Sequence, residues 1–123
     1  GIKIKFQVSP TLERIDPKVE IAIYRIIQES FNNISKYAEA TDVSLDLYRS
    51  DTQVFVRVKD NGKGFDTNNI IMSKKAGGGF GLLNMKERAE LIGGKVEIIS
   101  SPGNGTELLL EINLEFFSNN NHH

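Results

Sequence analysis

The run Val54-Phe55-Val56-Arg57-Val58-Lys59 ends in a carboxylate, Asp60, and is followed by Asn61-Gly62-Lys63-Gly64-Phe65. Its alternation of apolar and polar residues predicts a half-buried strand. Asn-Gly after such a strand is a strong hairpin signal. The same residues also suit a binding floor. A carboxylate fixed at a strand end accepts hydrogen bonds from the exocyclic amine of a flat ligand, and residues without Cβ let that ligand approach the backbone. Residues 66–79 mix Asn, Ser, Lys and Gly without alternation and offer no partner strand of similar length, which argues against the hairpin.

Two further groups carry possible chemistry. Glu29, Asn33, Lys36 and Tyr37 stand at i, i+4, i+7 and i+8, so on a helix they share one face. A carboxylate and an amide one turn apart supply the hard oxygen atoms that Mg²⁺ prefers and leave positions for water and phosphate. A solvated polar strip would have the same pattern. The stretch from Gly79 to Gly94 opens on Gly79-Phe80-Gly81-Leu82, and a glycine-rich start leaves first-turn N–H groups free for an anion such as phosphate. A flexible linker running into an ordinary amphipathic helix has equal claim to these residues. They match neither the P-loop, which needs Gly-Lys-Ser/Thr, nor a dinucleotide fingerprint, which follows a strand directly.

The elements that must position these groups are legible in order. Ile2, Ile4, Phe6 and Val8 alternate as a strand. Asp16-Pro17 caps and opens a helix that runs to about Ala38, with Val19, Ile23, Ile26, Ile27, Ile34 and Ala38 as its apolar arc. Residues 43–49 and 54–59 form strands joined by Ser50-Asp51-Thr52. A long patternless loop follows, with Lys74, Lys75 and Gly77-Gly78-Gly79 suited to a positively charged lid. A helix then closes at Gly93-Gly94, with Leu83, Ala89 and Ile92 as its expected apolar side. Residues 95–100 and 106–114 form a hairpin across Pro102-Gly103-Asn104-Gly105. Thr106 begins the last strand, where its hydroxyl reaches a ligand of Asp60 if the two strands are neighbours.

Composition sets outer bounds. The 123 residues suffice for one domain with one core, expected over residues 1–114 with a polar tail over 115–123. A net charge of −1 argues against nucleic acid as partner, and the absence of cysteine excludes disulfides and thiolate metal sites. No apolar run approaches a membrane span, so no direct membrane contact is expected. The only histidines, His122 and His123, end the polar tail, where an expression remnant is the simplest source.

Taken in order, four stretches resemble the GHKL superfamily, and most closely the catalytic ATP-binding domain of bacterial sensor histidine kinases that signal to NarL-type response regulators. Tyr24 to Asn33 resembles the asparagine box, Asp60 to Phe65 the first glycine box, Gly79 to Gly94 the second, and Ser101 to Thr106 the terminal Gly-x-Gly-Thr motif. The resemblance implies a two-layer α/β sandwich, with helices on one face of a mixed sheet of about five strands. It implies that Asp60 accepts the adenine amino group, that Gly62 and Gly64 shape the floor under the base, and that Thr106 supports the same end. Asn33 would ligate Mg²⁺. Glu29 would sit beside the metal and γ-phosphate as the catalytic residue, polarising water or assisting proton removal. Lys36 would meet phosphate, and Gly79, Gly81 and Leu82 would form the lid hinge and phosphate-cradling turn.

The sequence departs from the subgroup at Tyr37, where histidine is usual. Tyrosine donates one hydrogen bond but carries no positive charge near neutral pH, which puts a phosphate contact there in doubt. The phosphoacceptor histidine is expected on a separate dimerisation domain, with nothing before Ile2 to supply it. The implied function is binding of Mg·ATP and transfer of its γ-phosphoryl group to that histidine, with a response regulator served indirectly and a cytoplasmic location. The alternatives are a self-contained GHKL ATPase, an anti-sigma-factor serine kinase, or a regulatory module without nucleotide.

Overall fold

Asp16 starts the first helix by accepting a hydrogen bond from the Lys18 backbone N–H on Oδ1 at 2.8 Å, with Pro17 at the first helical position. The computed structural model in which this cap is seen describes residues 2–8, 15–66 and 81–115. In chain order these form β1 (Lys3–Val8), α1 (Pro17–Asn33), a π-helical segment (Ile34–Ala38), β2 (Asp42–Arg49), β3 (Gln53–Asp60), α2 (Leu82–Glu90), β4 (Gly94–Ser100) and β5 (Thr106–Asn113). Lys74, Lys75, Gly77 and Gly78, expected to belong to a lid, Gly79, expected at its hinge, and the two histidines lie outside the described residues.

The five strands form one mixed sheet in the order β1-β2-β3-β5-β4. β1 runs parallel to β2 and reaches it through the α1 crossover, while the other pairings are antiparallel. The sandwich expected from the sequence is therefore present. Val54, Val56 and Val58 of β3, Leu108, Leu110 and Ile112 of β5, and Val96 of β4 alternate onto the helix-facing side. Against them pack Val19, Ala22, Ile23 and Ile26 of α1 and Leu82, Met85 and Ala89 of α2. Ile26 is fully buried, and its truncation to Ala would cost about 2–5 kcal/mol.

Two local patterns came out differently from the sequence. Leu83, placed on the apolar side of the second helix, is 50% exposed, and Leu82 and Met85 take the buried positions. The helix begins at Leu82, so the core-facing set is Leu82, Met85 and Ala89 at helical spacing. In β1 the alternating Ile4, Phe6 and Val8 pair beside Val43, Leu45 and Leu47 yet stay exposed, because this edge strand lies at the margin of the helical layer.

Candidate functional site

The ladder of apolar pairs on the helix-facing side ends in a polar row. Across β3, β5 and β4, Val58 pairs with Leu108 and Leu108 with Ile98. One pleat further on, Asp60 pairs with Thr106 and Thr106 with Ser100. Side chains two apart on a strand share a face, so Asp60, Thr106 and Ser100 stand side by side where the apolar ladder stops. The neighbourhood of β3 and β5 on which the role of Thr106 depended is therefore present.

Asp60 is 4% exposed and is one of two buried polar residues among those described, with Ser30. Its Oδ1 accepts the Gly62 N–H at 2.7 Å, and the Thr106 backbone N–H also bonds the carboxylate. Burial pushes its pKa above the ordinary aspartate value, and the two backbone N–H bonds pull part of the way back. A carboxylate offers about four acceptor positions, so capacity remains for a donor in the cavity it lines.

That cavity measures about 180 Å³, well above the ~10–15 Å³ that admits one water. Ile34, Val58, Met85, Ile98 and Leu108 form apolar walls, with Asp60 and Thr106 at one end and Asn33 and Tyr37 also on the lining. A slot with apolar walls and a buried acceptor at its end suits a flat ring bearing an amine. A hollow of about 450 Å³ on the opposite face of the sheet, beside Tyr48, Phe55 and Arg57, contains none of the motif residues.

The glycine box after Asp60 is shaped by its neighbours. A Cβ on Gly62 would lie 2.2 Å from the Ala38 carbonyl oxygen, the same oxygen that accepts the Lys63 N–H at 2.7 Å. Gly62 thus lets the strand end pass directly over the end of the π-helical segment, and it is not itself on the cavity lining. Gly64, which is on the lining, has φ +63, and a Cβ there would meet the Ser101 carbonyl oxygen at 2.1 Å. Asn61 locks the same turn from outside. Its Oδ1 accepts from the Thr41 and Asp42 N–H groups at 2.9 and 3.0 Å, and its Nδ2 donates to Thr41 Oγ1 and Asp42 Oδ2.

The other end of the site comes from helices. Asn33 closes α1, is half-buried and lines the cavity. Beyond it the π-helical segment abandons the 3.6-residue period, so Tyr37 lies on the lining while Lys36 is exposed away from it. Glu29 is half-buried, and a Cβ on Gly81 would lie 2.5 Å from its Oε1, which places the carboxylate against the start of α2. Gly81 has φ +68 and makes no side-chain cap, and among the described residues no side chain caps the first turn of α2, an arrangement that suits an anion there. Leu82 reaches the lining with its side chain. Among the described residues no three His, Cys, Asp or Glu side chains form a metal cage. A cation here would rely on Asn33, with Glu29 near, and on oxygen from ligand and water, as Mg²⁺ commonly does.

In the sequence Ser100 carries no mark, and Ser30, Asn61, Phe65 and Met85 fall in motif stretches with no role given to any of them. Ser100 was within reach, since it shares the two-residue period of Val96 and Ile98. Met85 and Phe65 enter the lining only through the packing of α2 and the glycine box over the sheet.

Comparison with known proteins gives the family and the fold. Residues 18–116 match the family described as histidine kinase-, DNA gyrase B-, and HSP90-like ATPase. The chain is 42% identical over 103 residues to an uncharacterized sensor-like histidine kinase of Chloroflexus aurantiacus, covering 83% of this chain and 17% of that protein. It is 38% identical over 112 residues to the signal transduction histidine-protein kinase/phosphatase DegS of Brevibacillus brevis, covering 91% of this chain and 28% of that protein. The histidine kinase domain of the Erythrobacter litoralis blue-light activated histidine kinase shares the fold, with a TM-score of 0.77 at 19% identity over 96% of this chain and 54% of that one. The chain belongs to the family of histidine kinase-, DNA gyrase B- and HSP90-like ATPases, the GHKL superfamily. Within it, the chain is an ATP-binding domain of the sensor histidine kinase type, spanning about a sixth to a quarter of the curated relatives it matches. No described helix is long and apolar enough to cross a membrane.

Proposed function

We propose that this domain holds Mg·ATP with its adenine in the apolar slot and its phosphates toward α2, and donates the γ-phosphoryl group to a histidine on a separate dimerisation domain. The observation that carries the proposal is the row formed by Asp60 and Thr106 across the end of the slot. Asp60 accepts the exocyclic amine, and Gly64 brings the backbone close to the base. Asn33 offers its amide oxygen to Mg²⁺. Gly79, Gly81 and Leu82 are assigned to the turn that cradles phosphate, with Tyr37 approaching it from the lining and Lys36, which lies off the lining, meeting phosphate only outside the slot.

Glu29 is assigned the catalytic role beside the metal and γ-phosphate, where it orients the acceptor imidazole or takes its proton. In the transfer one P–O bond of ATP breaks, one P–N bond to the histidine forms, and ADP leaves. The domain contributes mainly position and charge neutralisation, as in other phosphoryl transfers. A response regulator would then receive the phosphoryl group from the histidine.

The test combines this domain, Mg·ATP labelled at the γ-phosphate and a dimerisation domain bearing the acceptor histidine. Acid-labile, base-stable label on the dimerisation domain is expected, with none on the 123-residue chain alone. Steady release of phosphate without transfer would favour a self-contained ATPase, and acid-stable label on a partner serine would favour a serine kinase.

A further inference from the structure

Ser100 has one hydroxyl proton and makes three hydrogen-bonding contacts. Its Oγ lies 2.9 Å from the Phe65 backbone nitrogen, the Gly105 carbonyl oxygen and Thr106 Oγ1. The Phe65 N–H can only donate, and the Gly105 carbonyl can only accept. All three bonds coexist in a single arrangement: Ser100 donates to Gly105, and Thr106 donates to Ser100. The Thr106 proton is then directed away from the cavity, and its oxygen offers lone pairs alone to whatever lies in the slot.

We infer that Ser100 is a positioning residue that sets base specificity by fixing Thr106 as a hydrogen-bond acceptor. This rests on the adenine-binding reading of the slot. With Asp60 ionised and Thr106 held in that orientation, the end of the slot accepts at both positions. A 6-amino purine, or a water bridging to it, supplies the donors that this end requires. A 6-oxo purine turns its O6, an acceptor, toward this end, and its N1–H can satisfy only one of the two acceptors there, which leaves the other facing O6. Without the Ser100 hydroxyl, Thr106 can rotate and donate into the slot, so part of the penalty against the oxo group is relieved. The Phe65 N–H also loses its acceptor, so a general loss of affinity accompanies the change.

The test is the ratio of affinities for ADP and inosine diphosphate, which differ at the 6-position and the adjoining ring nitrogen. It is measured by titration calorimetry in the wild type, S100A, S100T and T106V, and in S100A combined with T106V. S100A is expected to lower the ADP preference roughly fivefold to tenfold, while S100T, which keeps the hydroxyl, restores it. In the T106V background, adding S100A should leave the ratio unchanged, because no Thr106 proton remains to redirect. A merely structural role would lower both affinities together and leave the ratio where it was, and that result overturns the inference. If S100A does not fold by circular dichroism, Ser100→Cys replaces it, since a thiol is a weak donor and acceptor and should lower the ratio in the same direction. The adenine reading itself is tested separately by Asp60→Asn. ADP binding that resists that change sinks the base pocket, whereas Asp60-dependent binding with an unaltered S100A ratio sinks only the role given to Ser100.

Discussion

The two ends of the cavity are built on different principles. The end proposed to hold the base is a continuation of the sheet. Asp60, Thr106 and Ser100 occupy one register row, and the backbone ladder that pairs the strands also fixes their spacing. The end proposed to hold the phosphates is assembled from a helix terminus, a π-helical segment and the start of α2, with Glu29 lying against Gly81. A sheet row cannot move one residue without moving its neighbours, whereas helix ends shift with modest loss of hydrogen bonding. Under the proposed function, recognition of the base would fall to the rigid part, and accommodation of metal and phosphates to the adjustable part.

The sharpest way to break this division is at Asp60. Asp60→Asn should weaken adenine nucleotide binding by roughly 100-fold in titration calorimetry, the scale of a charge-assisted hydrogen bond lost and a donor set against a donor. The change in apo stability should be small in a melt, because relief of the buried charge offsets the weaker acceptance of the Gly62 and Thr106 N–H groups by an amide. Burial raises the Asp60 pKa, so the folded state holds its proton more tightly than the unfolded state does. Stability from this group is therefore full below the ordinary aspartate value and declines as pH rises through the raised one. The charged form is thus a cost to folding that the proposed contact with the base would require.

Gly62 joins the two ends, since it allows β3 to cross the Ala38 carbonyl. Gly62→Ala should destabilise the fold by about 1–3 kcal/mol in denaturant titration and weaken both ADP and Mg·ATP, because strand end and π-helical segment are forced apart. Asn33→Ala should separate the ends instead. Metal-free ADP should bind as in the wild type, while the gain in ATP affinity on adding Mg²⁺ should shrink about tenfold.

Acidification is a gentler probe of the same contrast. Adenosine nucleotide affinity should fall as pH drops through the raised Asp60 pKa, since a protonated carboxyl loses acceptor capacity, and this dependence should be absent in Asp60→Asn. The smallest effect is expected at Tyr37. Tyr37→Phe should change ATP affinity by no more than about threefold and leave adenosine binding unaltered, the scale of one neutral hydrogen bond at an exposed group.

The sequence by itself determined the strands, both helices, their order and the acid and hydroxyl that mark the polar end of the cavity. Those rest on local physics, since a two-residue period, a capping Asp-Pro and turn glycines each act over a few neighbouring residues. Asp60 and Thr106 could be singled out because each ends or begins such a strand. The tertiary structure alone decided that β5 sits between β3 and β4, which makes those two residues neighbours and brings Ser100 alongside. It also decided that Leu82, rather than Leu83, faces the core, that the helix widens after Asn33, and that Gly62 is required by a carbonyl of another element. None of these could be read from a period, because each is set by atoms brought together from distant parts of the chain, where packing and hydrogen-bond geometry override the local pattern.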